Sequence, residues 1–257
     1  MGMKLDLKHA LRVARQAAQV ADEIAMGYFK GAFEVELKAD QSPVTEADRA
    51  CEQAIRAVIE AQWPDHAILG EEYGGEGDRP IVWLIDPIDG TRSFIRGLPF
   101  WSVQIALMIE GELVLGVSSA PAFSETAWAL RGHGAWLNDR RLQVRDPVGL
   151  DEADISFGNL RSLARSDQWP WVGTLVSRAA RSRGYGDFYG YHRLAEGNQD
   201  AVIESDVNVL DVAALAVIVE EAGGRFTDLQ GHPIGLHTGS ALAAGPSLHA
   251  SLLSLLS

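Results

Sequence analysis

Two aspartates, Asp86 and Asp89, stand three residues apart in the string Trp83-Leu84-Ile85-Asp86-Pro87-Ile88-Asp89-Gly90-Thr91. The apolar run before them, residues 81–85, has the length and branching of a buried strand, so the carboxylates fall at its carboxyl end. Pro87 lacks a backbone N–H and fixes φ, which predicts that the chain leaves the sheet there. Gly90 permits backbone geometry, and close approach of a ligand, that other residues resist. Two anionic side chains followed by free N–H groups suit a hard divalent cation and a phosphate together. A strand ending in an acidic turn is the plainer explanation of Asp-x-x-Asp alone. The longer string argues against it.

Other carboxylates recur at the ends of elements. Glu71 lies just past a short strand at 67–69, inside Gly70-Glu71-Glu72-Tyr73-Gly74-Gly75. If that strand neighbours the one at 81–85, both acidic ends converge on one edge, where open α/β sheets keep their ligands. Glu204 ends a strand at 201–204, and Asp211 caps a very apolar helix, 212–222, that stops at Gly223-Gly224. Glu71, Asp86, Asp89 and Asp211 together form a candidate carboxylate cage. Mg²⁺ prefers oxygen ligands, keeps waters and uses few carboxylates per ion, so the cage predicts two or three ions around a phosphoryl group. Singly, each residue has a blander account. Glu71 could be an exposed loop glutamate, and Asp187, in Tyr185-Gly186-Asp187-Phe188, and Asp211 could be mere N-caps. Asp48, three residues after Thr45, is explained by the helix dipole alone. Lys38 says little by itself.

The elements that must position these groups read as follows. An amphipathic, alanine-rich helix spans residues 6–30, and a second runs from Thr45 to about residue 62. After Thr91 the pattern turns β-rich, with strands at 102–109 and 113–119 joined by Glu110-Gly111-Glu112, then at 126–130 and 135–137. This predicts an antiparallel meander covered by the two helices. His133, among glycines and without ligand-spaced partners, reads as a loop residue. A polar stretch near 147–154 divides the chain into an N-terminal half, 1–150, with the metal and phosphate site, and a C-terminal half, 151–257, that completes it. In the second half, strands at 155–157, 201–204, 225–227 and 241–244 alternate with helices, one of them opened by Asp187.

Composition narrows the class. A net charge of −13 argues against general affinity for nucleic acid or an anionic membrane, and a site for an anionic substrate would need cations to reverse the local sign. One cysteine, Cys51, excludes an intrachain disulfide and a cysteine-rich zinc site. No apolar run approaches membrane-spanning length and no signal-peptide core precedes the first helix, so a cytoplasmic protein is expected.

Gly70-Glu71-Glu72, the string from Asp86 to Thr91, and Asp211 before Glu221-Ala222-Gly223-Gly224 resemble the inositol monophosphatase superfamily of Mg²⁺-dependent, lithium-sensitive phosphatases. The likeness runs from the first helix to the C-terminus. Arg92-Ser93-Phe94-Ile95-Arg96-Gly97-Leu98-Pro99 and Tyr185-Gly186-Asp187-Phe188 look most like the bacterial histidinol-phosphate phosphatases within it. The resemblance implies a layered α-β-α-β-α sandwich of the inositol monophosphatase and fructose-1,6-bisphosphatase type, a homodimer, and a small phosphorylated metabolite as substrate. It implies that Glu71, Asp86, the Ile88 carbonyl, Asp89 and Asp211 hold the metals, and that the N–H groups of Gly90 and Thr91 bind phosphate. The Thr91 hydroxyl and Glu71 would orient the attacking water, with Asp48 and Lys38 just behind. Asp187 and Glu204 would face the organic part of the substrate. One departure is Leu210, where the family usually has Trp before the last metal aspartate. The favoured activity is hydrolysis of L-histidinol phosphate in histidine synthesis. The ammonium of histidinol suits Asp187 and Glu204, although a neutral polyol could hydrogen-bond to them equally. The alternatives are an inositol-1-phosphatase or broad sugar-phosphate phosphatase, a 3′-nucleotidase of the same fold, and a catalytically silent metal or phosphate sensor.

Overall fold

The computed structural model describes residues 5–31, 35–37, 43–147 and 149–256. Lys38 lies outside them. Helix α1 (Leu7–Tyr28) starts where the Asp6 carboxylate accepts the N–H groups of Lys8 and His9. Strands β1 (Val35–Leu37) and β2 (Pro43–Thr45) form an antiparallel pair that the sequence pattern did not suggest. Helix α2 (Glu46–Glu60) opens with a capping box: the Thr45 hydroxyl accepts the Asp48 N–H while the Asp48 carboxylate accepts the Thr45 N–H.

Strands β3 (Ala67–Gly70) and β4 (Ile81–Asp89) pair in parallel, which brings Gly70 beside Ile85 and so sets Glu71 next to Asp86. After the short helix α3 (Thr91–Ile95) come β5 (Ser102–Ile109), β6 (Glu112–Ala120), β7 (Glu125–Leu130), β8 (Ala135–Leu137) and β9 (Arg140–Arg141), each antiparallel to its predecessor. The loop between β5 and β6 is Glu110-Gly111, with both residues at positive φ, as a tight hairpin of matching twist requires. The second half adds β10 (Asp154–Phe157), α4 (Leu160–Leu163), α5 (Trp169–Arg178), β11 (Arg181–Arg183), α6 (Asp187–Ala195), β12 (Ala201–Ser205), α7 (Val209–Glu221), β13 (Arg225–Thr227), β14 (Ser240–Ala244) and α8 (Pro246–Leu256). Its strands make a mixed five-stranded sheet in the order β11-β10-β12-β14-β13.

Side-chain alternation along the strands produces the layers. On β4, Trp83 and Ile85 point into a core shared with Ala14, Ala21, Ile55 and Ile59 of α1 and α2, whereas Val82 and Leu84 point into a second core with α7. That second core also takes Val202 of β12 and Ala243 of β14. Their neighbours Ile203 and Leu242 face a third core with Val172 of α5 and Leu248 of α8. Five layers, α-β-α-β-α, result. Helix α7 lies between two sheets, which is why nearly every side chain from Val209 to Val219 is apolar and buried.

Two expectations need correction. Strand β4 does not end before Pro87 but continues to Asp89. Its register against β5 shifts between Asp86 and Asp89, and such an irregularity tolerates a residue without an N–H to donate. Asp211 is not the N-cap of α7. Asn208 is, and Asp211 is the third helical residue, closing a capping box on the Asn208 N–H.

Candidate active site

The irregularity in β4 has a chemical consequence. Residues three apart on a regular strand point to opposite faces, yet Asp86 and Asp89 converge with Asp211, their ligand oxygens all within 4.8 Å of one another. Asp86 Oδ1 accepts the Ile88 N–H at 3.0 Å. Asp211 is held by Asn208, whose N–H and Nδ2 donate to its two oxygens at 2.8 and 2.9 Å. Asp89 Oδ2 is buried and finds no hydrogen-bond donor among the described residues. Burial pushes Asp86 well above the usual carboxylate range, and the charges of Glu71, Asp89 and Asp211 push it further. Asp89 is raised likewise by burial and then by Asp187, Asp211 and Glu204. Asp211 is raised to about 7, chiefly by burial.

Such crowding is costly unless something positive sits among the oxygens. A cluster made of carboxylates, one with a vacant buried oxygen, suits a hard cation. The Ile88 carbonyl adds another oxygen; it accepts the Thr91 hydroxyl at 3.0 Å and has a second lone pair.

Gly90 turns the chain into α3 at φ +87°, and a Cβ there would approach the Phe100 carbonyl oxygen to 2.6 Å, so a side chain is excluded twice. The same point is 3.5 Å from Asp187 Oδ2, although the two residues are 97 apart in sequence (187 − 90). Thr91 Oγ1 is also 3.3 Å from Asp48 Oδ1. Asp48 is therefore both the capping-box residue that its dipole environment suggested and a neighbour of Thr91. Burial raises its pKa, against the lowering effect of the Thr45 hydroxyl and N–H.

One small cleft is lined by Asp89, Asn159, Asp187, Tyr191, Glu204 and Asp211. A wider one, of about 550 Å³, opens against α1 beside Arg12, Arg15 and Asp22, so chemistry rather than size singles out the first. Asp187 is not an N-cap by its side chain. It is the first residue of α6, in the left-handed region at φ +55°, and burial raises it to about 6. Glu204 accepts the Tyr191 hydroxyl at 2.7 Å, is raised to about 8 mainly by burial, and packs where a side chain on Gly158 would otherwise lie. Leu210 is buried in the core beside α7.

Sequence spacing gave no sign of Asn159, Tyr191 or Glu52, all of which meet the site only through the fold. It also missed Ser118, His192 and Glu125, which lie in serine–histidine–glutamate order at 2.9 and 3.3 Å. Ser118 and His192 are fully buried, and Ser118 Oγ already accepts from Gln104, so this group packs α6 against the sheet rather than meeting a substrate. The glycine-flanked His133 is a loop residue as expected. Its N–H, with those of Gly132 and Gly134, wraps the Glu221 carboxylate at the far end of α7.

Comparison with known proteins agrees with this geometry. The model of the inositol monophosphatase family matches residues 6–257. A histidinol-phosphatase of Streptomyces coelicolor is 40% identical over 256 residues, covering 96% of each chain. One from Mycobacterium tuberculosis is 41% identical over 254 residues, covering 96% of this chain and 97% of that one. Among solved structures, an inositol monophosphatase from Zymomonas mobilis superposes with a TM-score of 0.87 at 32% identity, over 98% of this chain and 99% of the other. With its layers, acidic cluster and near full-length match, this chain belongs to the inositol monophosphatase family and is a phosphoric monoester hydrolase.

Proposed function

We propose that the protein hydrolyses L-histidinol phosphate to L-histidinol and phosphate with Mg²⁺, as a step of histidine synthesis. The main support is the cleft in which Asp187 and Glu204 stand beside Asp89 and Asp211, an acidic wall suited to an ammonium group on the substrate. The two histidinol-phosphatase relatives agree with it. Glu71, Asp86, the Ile88 carbonyl, Asp89 and Asp211 would hold two or three Mg²⁺ ions. When bound, these neutralise phosphate charge and make water a better nucleophile. The N–H groups of Gly90 and Thr91, at the start of α3, would hold the phosphate oxygens. With its proton directed to Asp48 Oδ1 or the Ile88 carbonyl, the Thr91 hydroxyl keeps lone pairs to receive a hydrogen bond from the attacking water. Glu71 would orient that water from the other side.

Glu71, Asp86 and Asp89 come from the half spanning 1–150 and Asp211 from 151–257, which supports treating the halves as one catalytic unit. A cytoplasmic homodimer completes the proposal. Its supports are the half-buried aromatic group of Phe100, Phe123, Tyr185 and Tyr189 for the dimer, and the free, buried Cys51 for the compartment.

The inositol monophosphatase neighbour favours a second reading, an inositol-1-phosphatase, because polyol hydroxyls also bond to carboxylates. Phosphate release from histidinol phosphate and inositol 1-phosphate, with and without Mg²⁺, separates the two. Mg²⁺-dependent turnover with the higher kcat/KM on histidinol phosphate is expected. Turnover of inositol 1-phosphate with none of histidinol phosphate would overturn the proposal.

A further inference from the structure

One turn after Asp48, α2 carries a second carboxylate, Glu52, that is fully buried. It lies under the loop that follows β3. Its oxygens accept the N–H groups of Glu72 at 2.7 Å and Tyr73 at 3.3 Å, and the Arg56 Nε at 2.8 Å. Arg56 also donates to the Gly74 carbonyl at 2.5 Å, and Gln53 Nε2 donates to the Tyr73 hydroxyl at 2.6 Å. Gly70 completes the clasp. A Cβ on Gly70 would collide with the Glu52 carboxylate, so glycine is what lets the carboxylate reach the backbone. On its other side the loop is tied to β4 by the Glu71 N–H, which donates to the Ile85 carbonyl at 3.2 Å.

A buried carboxylate is tolerated only when its oxygens are well bonded, and charge-assisted bonds of this kind are short and directional. The two backbone donors to Glu52 named above, Glu72 and Tyr73, are the next two residues after Glu71. We infer that Glu52 is a positioning residue for Glu71, with Arg56 orienting the Glu52 carboxylate; this rests on Glu71 serving the metal ions and the water. Four residues of helix rise about 6 Å, so one rigid element steers both partners of the water. Asp48 acts on Thr91, and Glu52 acts on the backbone that presents Glu71. Partners of ligating residues commonly alter metal affinity or activity by about 10- to 100-fold when changed.

The test uses the full chain stripped of metal and titrated with Mg²⁺ alone by calorimetry, alongside amide exchange over residues 70–75 and steady-state kinetics. Glu52→Gln keeps the shape but turns an NH₂ toward a backbone donor. Mg²⁺ affinity should fall by about 10- to 100-fold and the amides of Glu72 and Tyr73 should exchange faster. At saturating Mg²⁺, KM should change far less than kcat. Should that variant fail to fold, Arg56→Met carries the test, with the same signs at the lower end of that range. Faster exchange with unaltered Mg²⁺ affinity and kcat would make Glu52 a loop anchor only and overturn the inference. Glu71→Gln is measured in parallel. If it binds Mg²⁺ and turns over like the unchanged protein, the role of Glu71 itself falls, and the inference with it.

Discussion

Asp48 and Asp89 are both buried carboxylates whose pKa burial raises, yet their surroundings differ in kind. Asp48 Oδ2 receives the Thr45 N–H at 2.8 Å and the Thr45 hydroxyl at 2.5 Å, and Oδ1 faces the Thr91 hydroxyl. Its bonding is finished within the protein. Asp89 has a buried oxygen with no donor among the described residues and stands among Asp86, Asp187, Asp211 and Glu204. A raised pKa therefore does not by itself mark a metal site. What separates the two is whether the protein supplies the compensating donors or leaves them to a cation.

Asp89→Asn should break that contrast most. The amide removes a charge from the cluster, and the loss of several kcal/mol of cation stabilisation corresponds to a fall in turnover of about 10³-fold or more. At pH 8 the metal-free variant should nevertheless melt higher than the unchanged protein, because a crowded charge has gone. Activity lost together with stability would mean that Asp89 supports the fold. On the Asp48 side, Thr91→Ala removes the hydroxyl and spares the backbone N–H. Turnover should fall by about 10²-fold with a smaller change in KM, and Mg²⁺ binding should be nearly unaltered. A loss of substrate affinity at normal turnover would make Thr91 a binding residue.

Glu204→Gln probes the substrate wall and should act more mildly. Losing a charge-assisted contact should weaken kcat/KM on histidinol phosphate by about 1.5–3 kcal/mol, and on inositol 1-phosphate by much less. Equal losses on both would assign Glu204 to the fold, through its bond to Tyr191.

Local pattern made part of this legible. The Asp86-to-Thr91 string, the Gly-Glu-Glu loop and the Glu110-Gly111 hairpin each announce themselves within a few residues, because their geometry is set by neighbours in the chain. The sequence left the adjacency of β3 and β4 as a condition, and the structure meets it with a parallel pairing that brings both acidic ends to one edge. The prediction from Pro87 failed because an irregular pairing tolerated it and aimed Asp89 at Asp86. Strands β1, β9 and β11 have two or three residues each, too few for a period to show. Glu52 under the 70–74 loop and Asp187 beside Gly90 are contacts across 20 and 97 residues of chain, and no spacing rule reaches that far.

The acidic cluster as a cation site is tested most directly by melting the metal-free protein from pH 5 to pH 8, with and without Mg²⁺. An unfolded carboxylate titrates near 4, whereas Asp187, Asp211 and Glu204 are held at about 6, 7 and 8 in the fold. Between those limits these three groups make the native state bind more protons than the unfolded one, so their share of stability falls as pH rises. His66, His192 and His249, held below the usual imidazole range chiefly by burial, act in the opposite sense. Asp22, raised to about 7 by burial and bonded to Ser119, adds to the fall but lies outside the cluster, so Asp22→Asn removes its share. Without metal the Tm should drop from pH 5 to pH 8, the raised carboxylates outnumbering the lowered histidines, and the Mg²⁺-induced rise should be larger at pH 8 than at pH 5. Because the histidines weigh on both arms alike, the Mg²⁺ difference is the decisive reading, and a Mg²⁺-induced rise of equal size at both ends, or larger at pH 5, would contradict the cation site.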